Sequence, residues 1–94
     1  MNEILISEIQ IIPVKPKDGL VAFVSFVINN QFYLGNIAIY TAPFSPDGFR
    51  LVYPVKTLST GKELSCVYPI NRETGEAVLK AVINKYRDLL SKFV

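Results

Sequence analysis

The sequence predicts an α+β domain, with an antiparallel sheet of about five strands and one C-terminal amphipathic helix packed on it. Over the first two thirds of the chain, short apolar or alternating runs are separated by turn residues, as in antiparallel strands. The last segment instead repeats its apolar residues at helical spacing. Because 94 residues are too few for two hydrophobic cores, we expect a single domain over residues 1–94.

The first two strands are predicted at residues 4–14 and 20–28. Apolar and polar residues alternate in the first, and Pro13 and Pro16 are expected to limit how far it pairs, because proline has no N–H to donate. Asp18-Gly19 is a turn signal between the two. The second strand is rich in Val and Phe, so we expect both of its faces to be covered, by the helix or by a partner subunit.

Three further strands are predicted at residues 31–40, 49–56 and 63–68. Asn29-Asn30 suits the tight turn before the first of these, because Asn tolerates the left-handed backbone region, and Gly35-Asn36 predicts a bulge within it. The segment TAPFSPDG contains two prolines and an Asp-Gly pair, which predicts a loop.

A helix is predicted from Asn71 to Phe93. Pro69 breaks the preceding strand, and Asn71 is placed to act as the N-cap. At about 100 degrees per residue, the apolar side chains fall within one arc of about 140 degrees, which predicts packing on the sheet. These residues are Val78, Leu79, Val82, Ile83, Tyr86, Leu89, Leu90 and Phe93. Lys80 and Arg87 line one border of this apolar stripe, and Lys85 and Lys92 line the other.

The residue inventory argues against an enzyme and against a bound metal or cofactor. The chain has no histidine and one cysteine, Cys66, so a Cys/His zinc site or a Ser/His triad is excluded within one chain. The carboxylates are scattered without paired spacing. Cys66 is interpreted as a small buried residue in a strand. With no signal-peptide pattern and no transmembrane run, we expect a cytoplasmic protein that does not bind membranes.

The net charge of +2 is too small to indicate a nucleic-acid partner, so any such function depends on where the charges lie. Lys56 and Lys62 flank a Ser/Thr/Gly turn, where ammonium and backbone N–H groups suit a phosphate. The alternative is that both are ordinary solubilising charges at a hairpin tip. The many Phe and Tyr residues likewise either stack on bases, where exposed, or pack in the core.

Two Val-Tyr-Pro triplets, at residues 52–54 and 67–69, mark two predicted strand ends, and the second leads into the helix. The order from residue 49 to 86 is strand, Pro, basic turn, strand, Pro, capped helix. In this order the chain resembles the stage V sporulation protein G (SpoVG) family of small bacterial septation and sporulation regulators. The resemblance covers nearly the whole chain and includes Gly48-Phe49, the Pro54-x-Lys56 pattern and Pro69-Ile70-Asn71.

The resemblance implies a sheet with a C-terminal helix, a homodimer formed through strands, and binding of DNA, with RNA as a further ligand. By position, it assigns backbone phosphate contacts to Lys56, Lys62, Arg72, Lys80 and Arg87. The chain also departs from the family pattern. Residues 53–57 read YPVKT where the family usually has Met-Pro-Ser and two basic residues, and residues 68–70 read YPI where it usually has His-Pro-Ile. The missing positive charge predicts weaker phosphate binding.

From the sequence we expect a non-enzymatic nucleic-acid-binding regulator, cytoplasmic and dimeric, with weak to moderate affinity that comes mainly from contacts with backbone phosphate. The alternative is a protein-interaction module of cell division or regulation that binds no nucleic acid. Its exposed aromatic residues and strand edges would engage the partner. Salt distinguishes the two, because phosphate contacts weaken steeply with salt and apolar interfaces do not.

Overall fold

The structure, a computed structural model, describes residues 4–92 and has an α+β architecture. The elements in these residues are β1 (Ile6–Lys17), β2 (Leu20–Ile28), β3 (Phe32–Thr41), β4 (Phe49–Val52), β5 (Val55–Thr57), β6 (Glu63–Ser65) and α1 (Arg72–Ser91). The first four strands form one antiparallel sheet in the order β1-β2-β3-β4, and β5 and β6 form a separate two-stranded sheet. The predicted fold class is therefore confirmed, with the strands divided between two sheets.

Strand β1 continues past both of its prolines. Pro13 lies opposite Ala22, the register shifts after it, and pairing resumes where Lys17 meets Leu20. The prolines thus interrupt the pairing but do not end it, and the predicted end of the strand at Val14 is wrong. The physical reason is the position of β1 at the edge of the sheet, where a residue without an N–H is tolerated.

The two predicted tight turns are confirmed. Asp18 and Gly19 have φ angles of 52° and 91°, and Asn29 and Asn30 have φ angles of 50° and 56°. These left-handed conformations match the twist of the flanking antiparallel strands. Asn29 also binds the residue before β1, because its Oδ1 accepts a hydrogen bond of 2.8 Å from the backbone N–H of Leu5.

The bulge in β3 is confirmed, whereas the strand predicted at residues 49–56 is divided. Gly35 and Asn36 together lie opposite Ser25, and Asn36 has a φ of 58°. Strand β4 ends at Val52, and Tyr53-Pro54 lead the chain out of the large sheet to β5. Pro54 has no N–H for a strand ladder, which explains a break at this position.

Strand β6 is shorter than predicted and does not bury its cysteine. It ends at Ser65, three residues before the predicted end at Tyr68. Cys66 follows it and is exposed, so the interpretation of Cys66 as a buried strand residue is wrong. The hairpin of β5 and β6 is short and all its strand residues are exposed, so it offers no core position for the thiol.

Helix α1 packs its apolar stripe on one face of the large sheet. The largest fully buried side chains are Phe26 from β2, Ile37 and Ile39 from β3, and Val82 and Ile83 from the helix. Val78 and Tyr86 are buried as well, as the helical spacing predicts. The ring of Phe49 meets the ring of Tyr86 edge to face, with centroids 5.4 Å apart. Beyond Ser91, the predicted helix end at Phe93 lies outside the described residues.

The face of the sheet opposite the helix carries apolar side chains that are only partly covered. Ile12 and Phe23 lie opposite each other in β1 and β2 on this face, and they are 66% and 36% exposed. Val21, Ser25 and Val27 of β2 are half-buried. The expectation that both faces of β2 are covered is therefore met only on the helix face within residues 4–92. A partner subunit on the second face stays a prediction.

The N-cap of helix α1 gives a first test of what stabilises the fold. The Oδ1 of Asn71 accepts a 2.8 Å hydrogen bond from the N–H of Thr74, and Asn71 has the extended backbone of an N-cap. We expect Asn71→Ala to lower the free energy of unfolding by about 1 kcal/mol in urea denaturation. The matched control is Asn84→Ala at an exposed position within the helix, where alanine is the better helix former. Equal effects of both variants would contradict the capping role.

Tyr53 gives a second test, through its buried hydroxyl. The hydroxyl oxygen is buried and has no hydrogen-bond partner among residues 4–92. Burial raises the pKa of Tyr53 from 10.0 to about 12, because it disfavours the charged phenolate. The tyrosine of the unfolded chain therefore loses its proton first as the pH rises. The contribution of the neutral side chain is fully present below pH 10 and is lost between pH 10 and about 12.

We expect the Tyr53→Phe variant to lose less stability than the wild type between pH 10 and about 12, because it has no hydroxyl to ionise. At neutral pH the variant should be more stable by about 1 kcal/mol, since a buried hydroxyl without a partner is unfavourable. Urea denaturation at neutral and alkaline pH measures both effects, with Tyr33→Phe, at a side chain that is 72% exposed, as the control. A Tyr53→Phe variant that follows the wild-type pH curve would show that this hydroxyl is not desolvated.

Candidate nucleic-acid interface

A cleft lies between helix α1 and the loop that joins β3 to β4. It has a volume of about 490 Å³. The lining residues are Ser45, Pro46, Asp47, Arg72, Glu76, Leu79 and Lys80. Three of the helical residues, at positions 72, 76 and 80, lie about one helical turn apart along the border of the apolar stripe. Leu79 belongs to the stripe itself. Two of the sequence-predicted basic residues, Arg72 and Lys80, are thus brought to one cleft.

The loop beside this cleft, residues 42–48, consists of two successive tight turns. The N–H of Ser45 donates to the carbonyl of Ala42 at 2.9 Å, and the N–H of Gly48 donates to the carbonyl of Ser45 at 3.0 Å. Each turn has proline in its second position, where the fixed φ angle of proline is suited to the turn. A third hydrogen bond of 2.8 Å, from Ala42 N–H to the Gly48 carbonyl, closes the loop.

Arg87 ties this loop to the helix. Its Nη2 donates a 2.8 Å hydrogen bond to the backbone carbonyl of Asp47, forty positions earlier in the chain. The guanidinium keeps further N–H donors beside this one, so the bond does not use up its capacity for an anion. Lys80 and Arg87 are therefore on the same side of the helix, and the loop lies against that side.

The charges along this border are mixed but positive overall. The Nε of Arg72 lies 3.0 Å from Oε1 of Glu76, and both side chains are mostly exposed, so the ion pair contributes little to stability. Among the described residues, the salt bridges do not involve Lys80. This border carries three cations, Arg72, Lys80 and Arg87. It carries two carboxylates, those of Asp47 and Glu76. We call this surface, residues 44–48 with Arg72, Lys80 and Arg87, the helix-border surface.

Lys56 and Lys62 lie apart from the helix-border surface, on the β5–β6 hairpin. Both side chains are exposed, and Lys56 pairs across from Leu64. Within the turn, the N–H of Leu58 donates to the carbonyl of Lys62 at 2.8 Å, and that of Gly61 donates to the carbonyl of Leu58 at 2.9 Å. Those two N–H groups are used inside the turn and are not free for a phosphate, whereas the ammonium groups of Lys56 and Lys62 are exposed.

The aromatic residues divide between core and surface. Phe26 is fully buried and Phe49 is half-buried, as expected for packing. Phe32, Tyr33 and Tyr68 are 67%, 72% and 60% exposed. Phe44 was one of many aromatic residues in the sequence and was not selected as a site residue, yet it is fully exposed at the helix-border surface. Its one sequence signal is its place in a proline-rich loop outside the strands.

A second, apolar cavity of about 210 Å³ opens between the sheet and the segment that precedes the helix. Val67, Tyr68, Pro69 and Ile70 form one side of it, and Ile70 is 88% exposed. The described residues that line this cavity carry no charge. It is therefore suited to an apolar group and unsuited to a phosphate.

Neither a metal site nor a membrane helix is found in the part of the chain that the structure describes. Residues 4–92 hold no group of three or more Cys, Asp or Glu side chains placed to bind a metal ion. The helix of these residues lacks the length of uncharged apolar sequence needed to cross a membrane.

Comparison with known proteins decides the family. The family model described as SpoVG matches residues 4–88, which include both groups of basic residues. The chain belongs to the SpoVG family. The sequence resemblance is thereby confirmed.

Two SpoVG relatives illustrate how far the similarity extends. Both carry the name "Putative septation protein SpoVG", one from Caldicellulosiruptor bescii and one from Treponema denticola. The first is 28% identical over 86 residues, which cover 92% of this chain and 94% of the relative. The second is 28% identical over 81 residues, which cover 86% and 84% of the two chains. Both alignments thus span most of a whole SpoVG protein.

The loop of this SpoVG-family chain gives a test of how its helix-border surface is held. We expect Arg87→Ala to release the loop, because the hydrogen bond to the Asp47 carbonyl is lost. Amide hydrogen exchange measures this at Ser45 and Gly48, whose N–H groups close the two turns and should exchange faster in the variant. Lys85→Ala, on the opposite border of the helix, is the control. Unchanged exchange in Arg87→Ala would show that the turns hold the loop without the arginine.

Proposed function

We propose that this SpoVG-family chain is a non-enzymatic, cytoplasmic regulator of septation or sporulation that binds DNA or RNA mainly through backbone phosphates. The observation that carries the proposal is the grouping of Arg72, Lys80 and Arg87 along one border of α1, beside a loop that is closed by its own hydrogen bonds. The septation role rests on the family and on the names of the two relatives.

Phosphate binding fits the chemistry of this border. Arg and Lys side chains neutralise phosphate charges and release bound counterions, which gives affinity without base recognition. Each neutralised phosphate adds about 0.9 to the slope of log affinity against log salt, so three cations predict a slope of about −2.7. That is a small number of contacts, and Asp47 and Glu76 oppose them. The proposal is therefore one of weak to moderate affinity for a single subunit.

A homodimer formed through strands is part of the proposal. The apolar face with Ile12 and Phe23 supports it, because association would remove this exposed apolar surface from water. Two subunits would present two helix-border surfaces to one nucleic acid. Binding at two sites of one particle raises the overall affinity well above that of either site.

Reversing the charge of Lys80 tests the helix-border surface directly. We expect Lys80→Glu to weaken binding of labelled duplex DNA and of single-stranded RNA, measured by fluorescence anisotropy, and to reduce the salt slope by about 1 or more. Lys85→Glu makes the same change of charge on the opposite border of α1 and should have a smaller effect. Equal losses in both variants would point to a general effect of net charge.

The hairpin lysines need a separate variant. We expect the double substitution Lys56→Glu and Lys62→Glu to weaken binding without unfolding the domain, because both side chains are exposed and neither has a role in the core. Circular dichroism monitors the fold. An unchanged affinity would remove Lys56 and Lys62 from the interface and leave the helix-border surface as the binding site.

The second candidate function is a protein-interaction module, which the apolar cavity beside Val67 and Ile70 favours. A cavity without charge, next to the exposed side chains of Tyr68 and Ile70, suits an apolar side chain of a partner protein. Absence of nucleic-acid binding by the wild type at low salt would favour this candidate. Its own test is Ile70→Asp, which should abolish capture of the protein partner and leave nucleic-acid binding unchanged.

A further inference from the structure

The side chain of Phe44 is 101% exposed, the highest value among the large apolar side chains in the described part of the chain. Ile70 and Tyr33 follow at 88% and 72%. Phe44 therefore packs on none of residues 4–92, and its ring is accessible on both sides. An aromatic ring is the side chain that stacks on a nucleic-acid base.

The loop backbone that carries Phe44 is held in place by hydrogen bonds. Phe44 occupies the third position of the turn that the Ser45–Ala42 hydrogen bond closes, directly after Pro43. The following turn and the Arg87–Asp47 hydrogen bond fix the rest of the loop against the helix. A ring carried on a preorganised loop costs less backbone entropy on binding than one on a mobile segment.

The neighbours of Phe44 in the loop line the cleft with Arg72 and Lys80. Ser45, the next residue, is one of the cleft residues, and Arg87 binds the loop two residues further on. Along the helix axis, Arg72 and Arg87 are fifteen positions apart, which corresponds to about 22 Å at 1.5 Å per residue. Phe44 and the cations thus lie on neighbouring elements, the loop and the border of α1, and the helix border is long enough for several nucleotides.

This combination discriminates between single and double strands. In a duplex the faces of the bases are covered by their neighbours, so a side-chain ring meets only phosphates, sugars and base edges. In a single strand the bases are free to splay out and stack on aromatic side chains. The cations contact the phosphates of both single and double strands, whereas the ring stacks only on the bases of a single strand.

We propose that Phe44 stacks on a base of single-stranded DNA or RNA whose phosphates lie along Arg72 and Lys80, and that this contact gives the protein a preference for single strands. The proposal rests on the proposed function, since it requires the helix-border surface to bind nucleic acid. It goes further by assigning a base contact to a residue outside the basic set, and by naming the form of nucleic acid that is preferred.

The test compares Phe44→Ala with the wild type in anisotropy titrations of labelled oligo-dT, oligo-rU and duplex DNA. Probes of about 12 nucleotides or base pairs suit the length of the surface. Because the variant loses one stacked base, we expect roughly a tenfold loss of single-strand affinity. The duplex affinity and the salt slopes should stay as in the wild type, because no phosphate contact changes.

Two further variants control for the ring and for its position. Phe44→Trp should retain single-strand binding, because it keeps an aromatic face at the same site. Phe32→Ala removes an aromatic ring that is 67% exposed on the β2–β3 hairpin, and it should leave both affinities unchanged. Since Phe44 is fully exposed among the described residues, its variants should have the thermal stability of the wild type.

The outcomes separate this inference from the proposed function. Binding of single strands that is the same in Phe44→Ala as in the wild type would overturn the stacking role and leave the phosphate-binding function intact. An equal loss of single-strand and duplex binding would also overturn the stacking role, since the ring would then support binding of both forms and not contact a base of the single strand. A wild type that binds no probe at low salt would overturn the proposed function, and this inference with it.

Discussion

The packing of α1 on one face of the β1–β4 sheet is the interaction on which the rest of the structure depends. Phe26, Ile37 and Ile39 of the sheet and Val82 and Ile83 of the helix are fully buried, and they fix the rotation of the helix about its own axis. With that rotation fixed, the border that carries Lys80 and Arg87 must face the loop between β3 and β4. The position of the cations is thus a consequence of the core.

Local features of the sequence predicted most of the fold. The turns at Asp18-Gly19 and Asn29-Asn30, the bulge at Gly35-Asn36 and the cap at Asn71 are each determined by one or two residues and their neighbours, and the structure confirms them. What could not be predicted depends on distant partners. The continuation of β1 past Pro13 depends on its edge position, and the exposure of Cys66 depends on a hairpin that leaves the large sheet at Pro54.

The candidate site likewise has features that the sequence predicted and features that depend on distant partners. Helical periodicity placed Lys80 and Arg87 on one border of the stripe, because angular position on a helix follows from the sequence alone. The contact of Arg87 with Asp47 joins residues forty positions apart, and the full exposure of Phe44 is a property of the folded loop, so neither could be inferred from spacing. The sequence also could not show that Lys56 and Lys62 lie on a β5–β6 hairpin that is separate from the large sheet.

Chemical-shift mapping by NMR tests whether nucleic acid binds at the helix-border surface, as proposed. A single-stranded oligonucleotide is titrated into the labelled protein, and the backbone amide signals are followed residue by residue. If nucleic acid binds there, the largest shifts fall on residues 44–48 and on the helix around Arg72, Lys80 and Arg87. Shifts confined to residues 67–70 at the apolar cavity, or no shifts at low salt, would contradict it.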